Sequence, residues 1–366
     1  MLDLSPSPRS SAIDGTHPQS APPIEVRAAT AADDVSRDLL VGASSQGTFF
    51  HLSRWRDFVH GLYGHEPLEF AAWQGDELVG FLPLTLCRGL TGGRHLLSIP
   101  YSVYGGPVAR TPEAERALLE EAKVLAERKM VRFLELRFEA DPGLDWPGTD
   151  LYWTFKRDLP DRPEDVLAAM PKKSRAEARK ARKKHGLELS EGKWYVDDLY
   201  RLFFLNKHTL GSPALSPEHF YRLADEMGED VFVHLVRRDQ EPLAAVMSFA
   251  HRDTLIAYYA GTAPHADRAY SASNFMYMAL QEWAVTRGFK VFDFCRSRGE
   301  SGAFKFKVHQ GFEPTQLHYR YHLVNAKEKP SFNPSNPRTE VLRKTWSRLP
   351  LWVTRRLSKP LSRYLS

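Results

Sequence analysis

A chain of 366 residues, 42% hydrophobic and 26% charged, is too long for one ordinary core and too polar for a membrane-spanning bundle, so two globular domains are expected. No run approaches the roughly 20 apolar residues that cross a bilayer. The net charge of +5 is unevenly placed: eight of the thirteen residues at 172–184 are Lys or Arg, and residues 338–366 hold eight basic residues against one acidic one, Glu340. Such clusters point to phosphates or to an anionic membrane surface. The two cysteines, Cys87 and Cys295, exclude a disulfide framework, lie in apolar runs as buried thiols do, and fit a reducing, cytoplasmic compartment.

Residues 1–24 lack an apolar h-region and read as a disordered leader, leaving the export machinery nothing to recognise. A helical stretch follows at 52–62. EFAAWQGDELVGFLPLTL then reads strand, polar turn, strand about Gln74-Gly75-Asp76. An aromatic–glycine corner (Tyr104, Gly105, Gly106) precedes a helix over 112–129, whose Leu118, Leu119, Val124 and Leu125 share a face, and a strand over 131–138. Pro160, Pro163 and Pro171 punctuate a junction, and helices are expected at 176–184 and 196–208. The pattern then recurs. DVFVHLVRRDQEPLAAVMSFA repeats strand, turn, strand, and LIAYYAG ends in Tyr258, Tyr259 and Gly261. A helix over 273–287 and a strand over 289–297 complete the second copy. Glu135 and Asp293 occupy matching places. This long-period repeat of a β-β-β-α-β order predicts an α/β chain of mixed sheets with helices packed on them, in two similar domains at 25–165 and 166–326. Residues 315–324 alternate polar and apolar and read as an edge strand.

No Walker A loop, GxGxxG fingerprint, HExxH or GxSxG elbow is present, and no His pairs with Cys or carboxylates at metal spacing, so no metal site is expected. Residues 293–314 join a strand end to a further strand through Gly299 and Gly302, a place where α/β sites commonly lie. Lys305 and Lys307 would share one face of an extended segment. Either they are solvated beside core phenylalanines, or one neutralises a carboxylate, a phosphate or a developing oxyanion. Asp293 stands in an apolar strand, either in an ion pair with Arg296 or Arg298 or as a base. Tyr104 and Tyr259 either line a cleft or fill the core. The basic run, with Arg179 and Arg182, is either a solvated helical face or a phosphate contact. It lacks the interleaved aromatics of a base-stacking surface, so sequence-specific nucleic-acid binding is not expected.

The first-half stretch GHEPLEFAAWQGDELVGFLPLTL…LLSIPYSVYGGPVA resembles the opening domain of FemAB-like proteins associated with exosortase (PEP-CTERM) and exopolysaccharide systems. So do NKHTLGSPALS, AYYAGT, SNFMYMALQEWAVTRGFKVFDFCRSRGESGAFKFKVHQGFEP and LHYRY in the second half. The resemblance spans about residues 25–325. It implies two tandem GNAT-like domains, the second catalytic, that transfer an acyl group from acyl-CoA, or an aminoacyl group from charged tRNA, onto an amine. Neither donor would be a tightly bound cofactor. The acceptor would be a polysaccharide, a peptidoglycan-like or a lipid-linked amine in envelope or exopolysaccharide assembly. The resemblance further implies that Lys307, in Phe306-Lys307 before Gly311-Phe312, stabilises the tetrahedral intermediate. With it, Asp293 or a water would accept a proton, and Tyr104, Tyr259, Arg296, Lys305, Arg179 and Arg182 would contact substrate. Relatives commonly read D-F-G-R-S where this chain has Cys295 in place of the glycine. The pyrophosphate loop Q/R-x-x-G-x-G/A of ordinary GNAT enzymes has no match at 266–274.

In the tail, Leu342, Thr345, Trp346 and Leu349 recur at helical spacing opposite Arg343, Lys344 and Arg348. Trp352, Leu357, Leu361 and Tyr364 stand against Arg355, Arg356, Lys359 and Arg363. Two short helices, bounded by Pro350 and Pro360, would lie flat on the inner membrane, making the protein peripheral there; the alternative is that the aromatics pack back on the domain. Two other function classes stay open: a GNAT-like pair that binds a polysaccharide or lipid-linked precursor without catalysis, and a nucleic-acid binder with a steep salt slope.

Overall fold

The computed structural model describes residues 21–90, 92–330 and 337–365, so most of the expected leader, residues 1–20, lies outside the described residues. The first half runs β1 (Ile24–Ala28), α1 (Asp34–Ala43), α2 (Ser53–Tyr63), β2 (Glu66–Pro67), β3 (Phe70–Gln74), β4 (Glu77–Leu82), β5 (Thr85–Arg88), β6 (Arg94–Leu97), β7 (Val108–Ala109), α3 (Pro112–Arg128), β8 (Phe133–Phe138) and β9 (Gly148–Thr149). A crossing segment holds β10 (Tyr152–Thr154), β11 (Lys156–Asp158), α4 (Pro163–Ala169) and α5 (Lys172–Lys183). The second half runs β12 (Glu188–Glu191), α6 (Val196–Thr209), α7 (Pro217–Glu226), β13 (Val231–Arg238), β14 (Glu241–His251), β15 (Thr254–Thr262), α8 (Ala266–Tyr270), α9 (Ala272–Thr286), β16 (Val291–Asp293), β17 (Ser297–Arg298), α10 (Gly302–His309), β18 (Thr315–Gln316) and β19 (His318–Leu323). The tail forms α11 (Pro337–Arg348) and α12 (Leu351–Leu361). No helix among the described residues is long and apolar enough to cross a membrane.

The repeat is visible in the sheets. β6 pairs parallel with β8, with Leu97 opposite Glu135, and β15 pairs parallel with β16, with Ile256 opposite Asp293. Each parallel ladder ends at that residue, and beyond it the two strands are no longer paired with each other. The sheets do not follow a linear division of the chain, however. β11 adds to the second-half sheet beside β16, while β19 lies between β8 and β9 in the first-half sheet, in order β2-β5-β6-β8-β19-β9. The segment read as an edge strand is therefore an interior one, and the alternation that suggested an edge reflects two differently covered faces.

One aromatic core joins the halves. Phe49 stacks on Phe249 with centroids 4.6 Å apart, and Trp55 and Phe50 close on the same ring edge-on. Trp55 Nε1 donates to the Pro100 carbonyl, and the Tyr258 hydroxyl donates to the Tyr101 carbonyl. Helix α6 crosses β15 so closely that a Cβ on Gly261 would lie 2.3 Å from the backbone of Leu202 and Phe203, which only glycine permits. That contact sets where the end of α6 reaches.

Three buried histidines, His51, His219 and His234, are held neutral by desolvation, each pushed down to about 3. The unfolded chain, whose histidines titrate near 6.5, therefore binds more protons between about pH 6.5 and 3, and stability falls as pH falls through that window. These three groups alone should steepen the loss toward roughly 4 kcal/mol per pH unit below about pH 6. Urea denaturation at pH 7, 6 and 5 should show a falling midpoint. A midpoint flat across that range would contradict neutral burial.

Candidate active site

Beyond the ends of these two ladders, a cavity of ≈ 440 Å³ lies between the halves. From the first half, Tyr101, Ser102, Val103 and Arg137 line it. From the second half come Tyr258, Tyr259 and Ala260 past the end of the parallel pairing, with Cys295 and Arg296 beyond β16. Helix α6 contributes Phe203, Asn206 and Lys207.

The wall is basic. The Arg137 guanidinium is neutralised by Glu135 at 2.7 Å and also donates to the carbonyls of Ile99 and Ser102. Arg296 has no carboxylate partner among the described residues. Its Nη1 donates to the Tyr319 hydroxyl at 2.9 Å, and its guanidinium lies over the Tyr152 and Tyr319 rings. Tyr319 in turn donates to Val103 O and carries Arg137 on its ring, so one tyrosine positions both arginines. The half-buried Lys207 ammonium sits 5.2 Å from the Phe203 ring, with no hydrogen-bond acceptor or carboxylate among the described residues. Burial lowers its pKa, and Arg296 lowers it further. Two cations thus face the cavity without a counter-charge, an arrangement that suits an anionic group or a carbonyl oxygen gaining charge.

The segment that carries Arg296 is not the continuous strand expected over 289–297. β16 ends at Asp293, and Cys295 takes φ +57°, the left-handed conformation that a glycine would adopt freely. Tyr101, on the opposite wall, takes φ +58°. Both strained residues line the cavity, where such backbone concentrates at functional sites. Burial and the Asp293 carboxylate push the Cys295 thiol up, so it stays protonated and is no nucleophile.

Residues 302–309 form α10, not the extended segment expected. Ser301 caps it by accepting from the Phe304 amide, and helical spacing separates the two lysines. Lys307 points inward. Its Nζ donates to the carbonyls of Phe294 at 2.5 Å, Cys295 at 3.0 Å and Arg296 at 3.2 Å, and burial pushes the ammonium down to about 8. All three of its donors are therefore taken by main chain, and it does not line the cavity. Lys305 is exposed beside Glu300 and does not line it either.

Asp293 pairs with neither Arg296 nor Arg298. Its Oδ2 accepts from Tyr104 at 2.8 Å and lies 3.9 Å from Lys156, and its Oδ1 accepts from the Cys295 amide. Burial pushes its carboxyl up, against Lys156 and those two hydrogen bonds. Tyr104 is buried in this network and lines a second cavity of ≈ 400 Å³ with Gly105, Gly106 and Glu139. Of the sequence-derived residues, only Tyr259 and Arg296 reach the main cavity. The Tyr259 hydroxyl meets His219 Nε2 at 2.9 Å, and His219 Nδ1 meets the Tyr63 hydroxyl at 2.7 Å. On α5, Arg182 pairs with Glu282 and lies over Phe275, while Arg179 is exposed; neither lines the cavity. Lys207 and Arg137 were missed. Glu135 and Arg137, two apart in an apolar strand, were the available signal for one of them. Among the described residues no three His, Cys, Asp or Glu side chains gather where a metal could sit.

The left-handed position supplies a test. Cys295→Gly relieves about 1–2 kcal/mol of backbone cost and loses about 1 kcal/mol of side-chain burial, so stability should stay within about 1 kcal/mol of the parent. Cys295→Val, β-branched at positive φ, should lose about 2 kcal/mol or more by urea denaturation. Equal stability of the Gly and Val variants would contradict the strained turn.

The family model described as Acetyltransferase (GNAT) domain matches residues 168–308. No curated protein matches the chain. Among solved structures, FemX superposes with a TM-score of 0.64 at 12% identity, covering 82% of this chain and 98% of that one. A tandem GNAT protein from the clavulanic acid biosynthesis pathway superposes at 0.52 with 14% identity, over 84% and 100% of the two chains. L-PGS from Bacillus licheniformis superposes at 0.52 with 12% identity, over 87% and 98%. The chain thus has the mixed α/β fold of two tandem GNAT-like domains, with the GNAT-domain match confined to its second half.

Proposed function

We propose that the chain is an N-acyltransferase, with an acyl-CoA or aminoacyl-tRNA donor, acting on an amine acceptor that carries an anionic group. The observation that carries this reading is the cavity beyond the two parallel ladders, lined by the uncompensated Lys207 and Arg296. The GNAT-domain match over 168–308 supports acyl transfer as the chemistry. Catalysis belongs to the second half, and the first half completes the cavity wall with Tyr101, Ser102 and Arg137. In the step, the acceptor nitrogen bonds to the donor carbonyl carbon and the C–S or C–O bond breaks. The nitrogen gives up a proton, and the departing thiolate or alkoxide takes one. Lys207 and Arg296 hold the acceptor's anion and draw charge from the carbonyl oxygen. Tyr259, hydrogen-bonded to neutral His219, is the wall group placed to pass the proton. Lys307 is a positioning residue that fixes the turn carrying Arg296, and Asp293 anchors the same turn from behind. The exposed bases of α5 supply a surface for the phosphates of the donor. The sequence resemblance to FemAB-like proteins, together with the fold shared with FemX, favours an acceptor in envelope or exopolysaccharide assembly, which we place at the cytoplasmic face of the membrane.

The full chain incubated with labelled acyl-CoA or aminoacyl-tRNA and an envelope extract should place label on an amine, read as a mass shift. Lys207→Met and Arg296→Met should each slow this on the order of a hundredfold. Label transferred equally by parent and variants would remove the cavity from the reaction. No transfer from either donor class would remove the acyltransferase.

A further inference from the structure

Helix α12 is folded inside out relative to its sequence. The residues buried by it and by the turn that follows are Thr354, Ser358 and Ser362, at 0–3% exposure, while Trp352 is 71% exposed and Leu351 46%. Small hydroxyls let the helix lie close on the domain, where Ser358 Oγ accepts from the Ala214 amide and the Ser362 carbonyl accepts from the Tyr101 hydroxyl. His208 donates to Leu349 O, and Arg343 Nε donates to Leu210 O, which ties the connection between the two helices and α11 to the end of α6. The tail therefore does pack back on the domain, through these hydroxyls and the half-buried Trp346, Leu349, Val353 and Leu361, while Leu342, Leu351, Trp352 and Leu357 stay exposed. Trp352, Arg355, Arg356, Lys359 and Arg363 recur at three- and four-residue spacing and are all exposed. Val341 and Leu342 on α11 are likewise exposed, at 62% and 70%.

We propose that this outward face of the α11–α12 hairpin docks on an anionic lipid bilayer. Charge selects the partner. Of the bases on the hairpin only Lys344 has a carboxylate within salt-bridge distance among the described residues, Glu340, which leaves Arg343, Lys344, Arg348, Arg355, Arg356, Lys359 and Arg363 against a single acid. An indole and leucines set among those bases match the headgroup boundary, where aromatic and apolar side chains enter and Arg and Lys reach anionic phosphates. Nucleic acid would use the bases but give the protruding Leu351 and Leu342 no apolar surroundings. The hairpin's end also borders the catalytic cavity, since Leu365 lines its wall. Docking thus sets the cavity beside the bilayer surface, a placement that rests on the proposed function, whereas the docking itself does not.

Co-sedimentation of the full chain with vesicles tests it. The chain should bind phosphatidylglycerol–phosphatidylcholine vesicles, bind pure phosphatidylcholine poorly, and weaken as salt rises. Trp352→Ser should weaken binding about tenfold, and Arg355→Gln/Arg356→Gln/Lys359→Gln on the order of a hundredfold. These positions are exposed, so unchanged thermal midpoints are expected. Absence of binding, equal affinity for both vesicle types, unaffected variants, or capture by duplex RNA without vesicle binding would each overturn the proposal.

Discussion

A strand that leaves its sheet strands its carbonyl groups, and the active-site architecture depends on how Lys307 answers that. β16 has only three residues in the ladder before its chain turns away at Cys295. Carbonyls 294, 295 and 296 then point to one place, where the Lys307 ammonium accepts no substitute of lesser donor count. A buried carbonyl left without a donor costs about 1–3 kcal/mol, so satisfying three of them offsets part of the cost of burying one lysine, whose ammonium burial still pushes down to about 8. The left-handed turn persists because α10 holds it from one side and the Asp293 carboxylate holds the Cys295 amide from the other. Arg296 emerges from this clamp already aimed into the cavity.

The second requirement is that neither half can close the cavity alone. β11 crosses to the second sheet and β19 returns to the first, so each sheet contains a strand from the other part of the chain. The aromatic stack of Phe49 on Phe249 and the Tyr258–Tyr101 hydrogen bond lock the two faces together beside the cavity. Tyr319, on the returning β19, then spans the two arginines, one from each half. The strand exchange thus places the residue that aligns both guanidinium groups.

Much of this was legible in the sequence. The repeated strand and helix order, the equivalence of Glu135 and Asp293 and the helical basic run rest on local periodicity, which survives folding. The strand exchange was not legible, because pairing partners of β11 and β19 are decided by contacts more than a hundred residues away in sequence. α10 was misread because Phe304, Lys305, Phe306 and Lys307 alternate like a strand, and the Ser301 cap outweighed that pattern. Lys207 was invisible for a different reason. A lysine near a helix end looks solvated, and only the close crossing permitted by Gly261 carries it to the cavity wall. The resemblance directed attention to Lys307, and the structure gives that residue a structural grip on the turn in place of a free ammonium.

The central claim is that the cavity beyond the two parallel ladders, with its two unpaired cations, receives the anionic group of a substrate. Crystals of the full chain soaked in inorganic phosphate test it most directly by difference density. The account predicts density between Lys207 Nζ and the Arg296 guanidinium, lost in Lys207→Met. An empty cavity with phosphate bound only along α5 would contradict it.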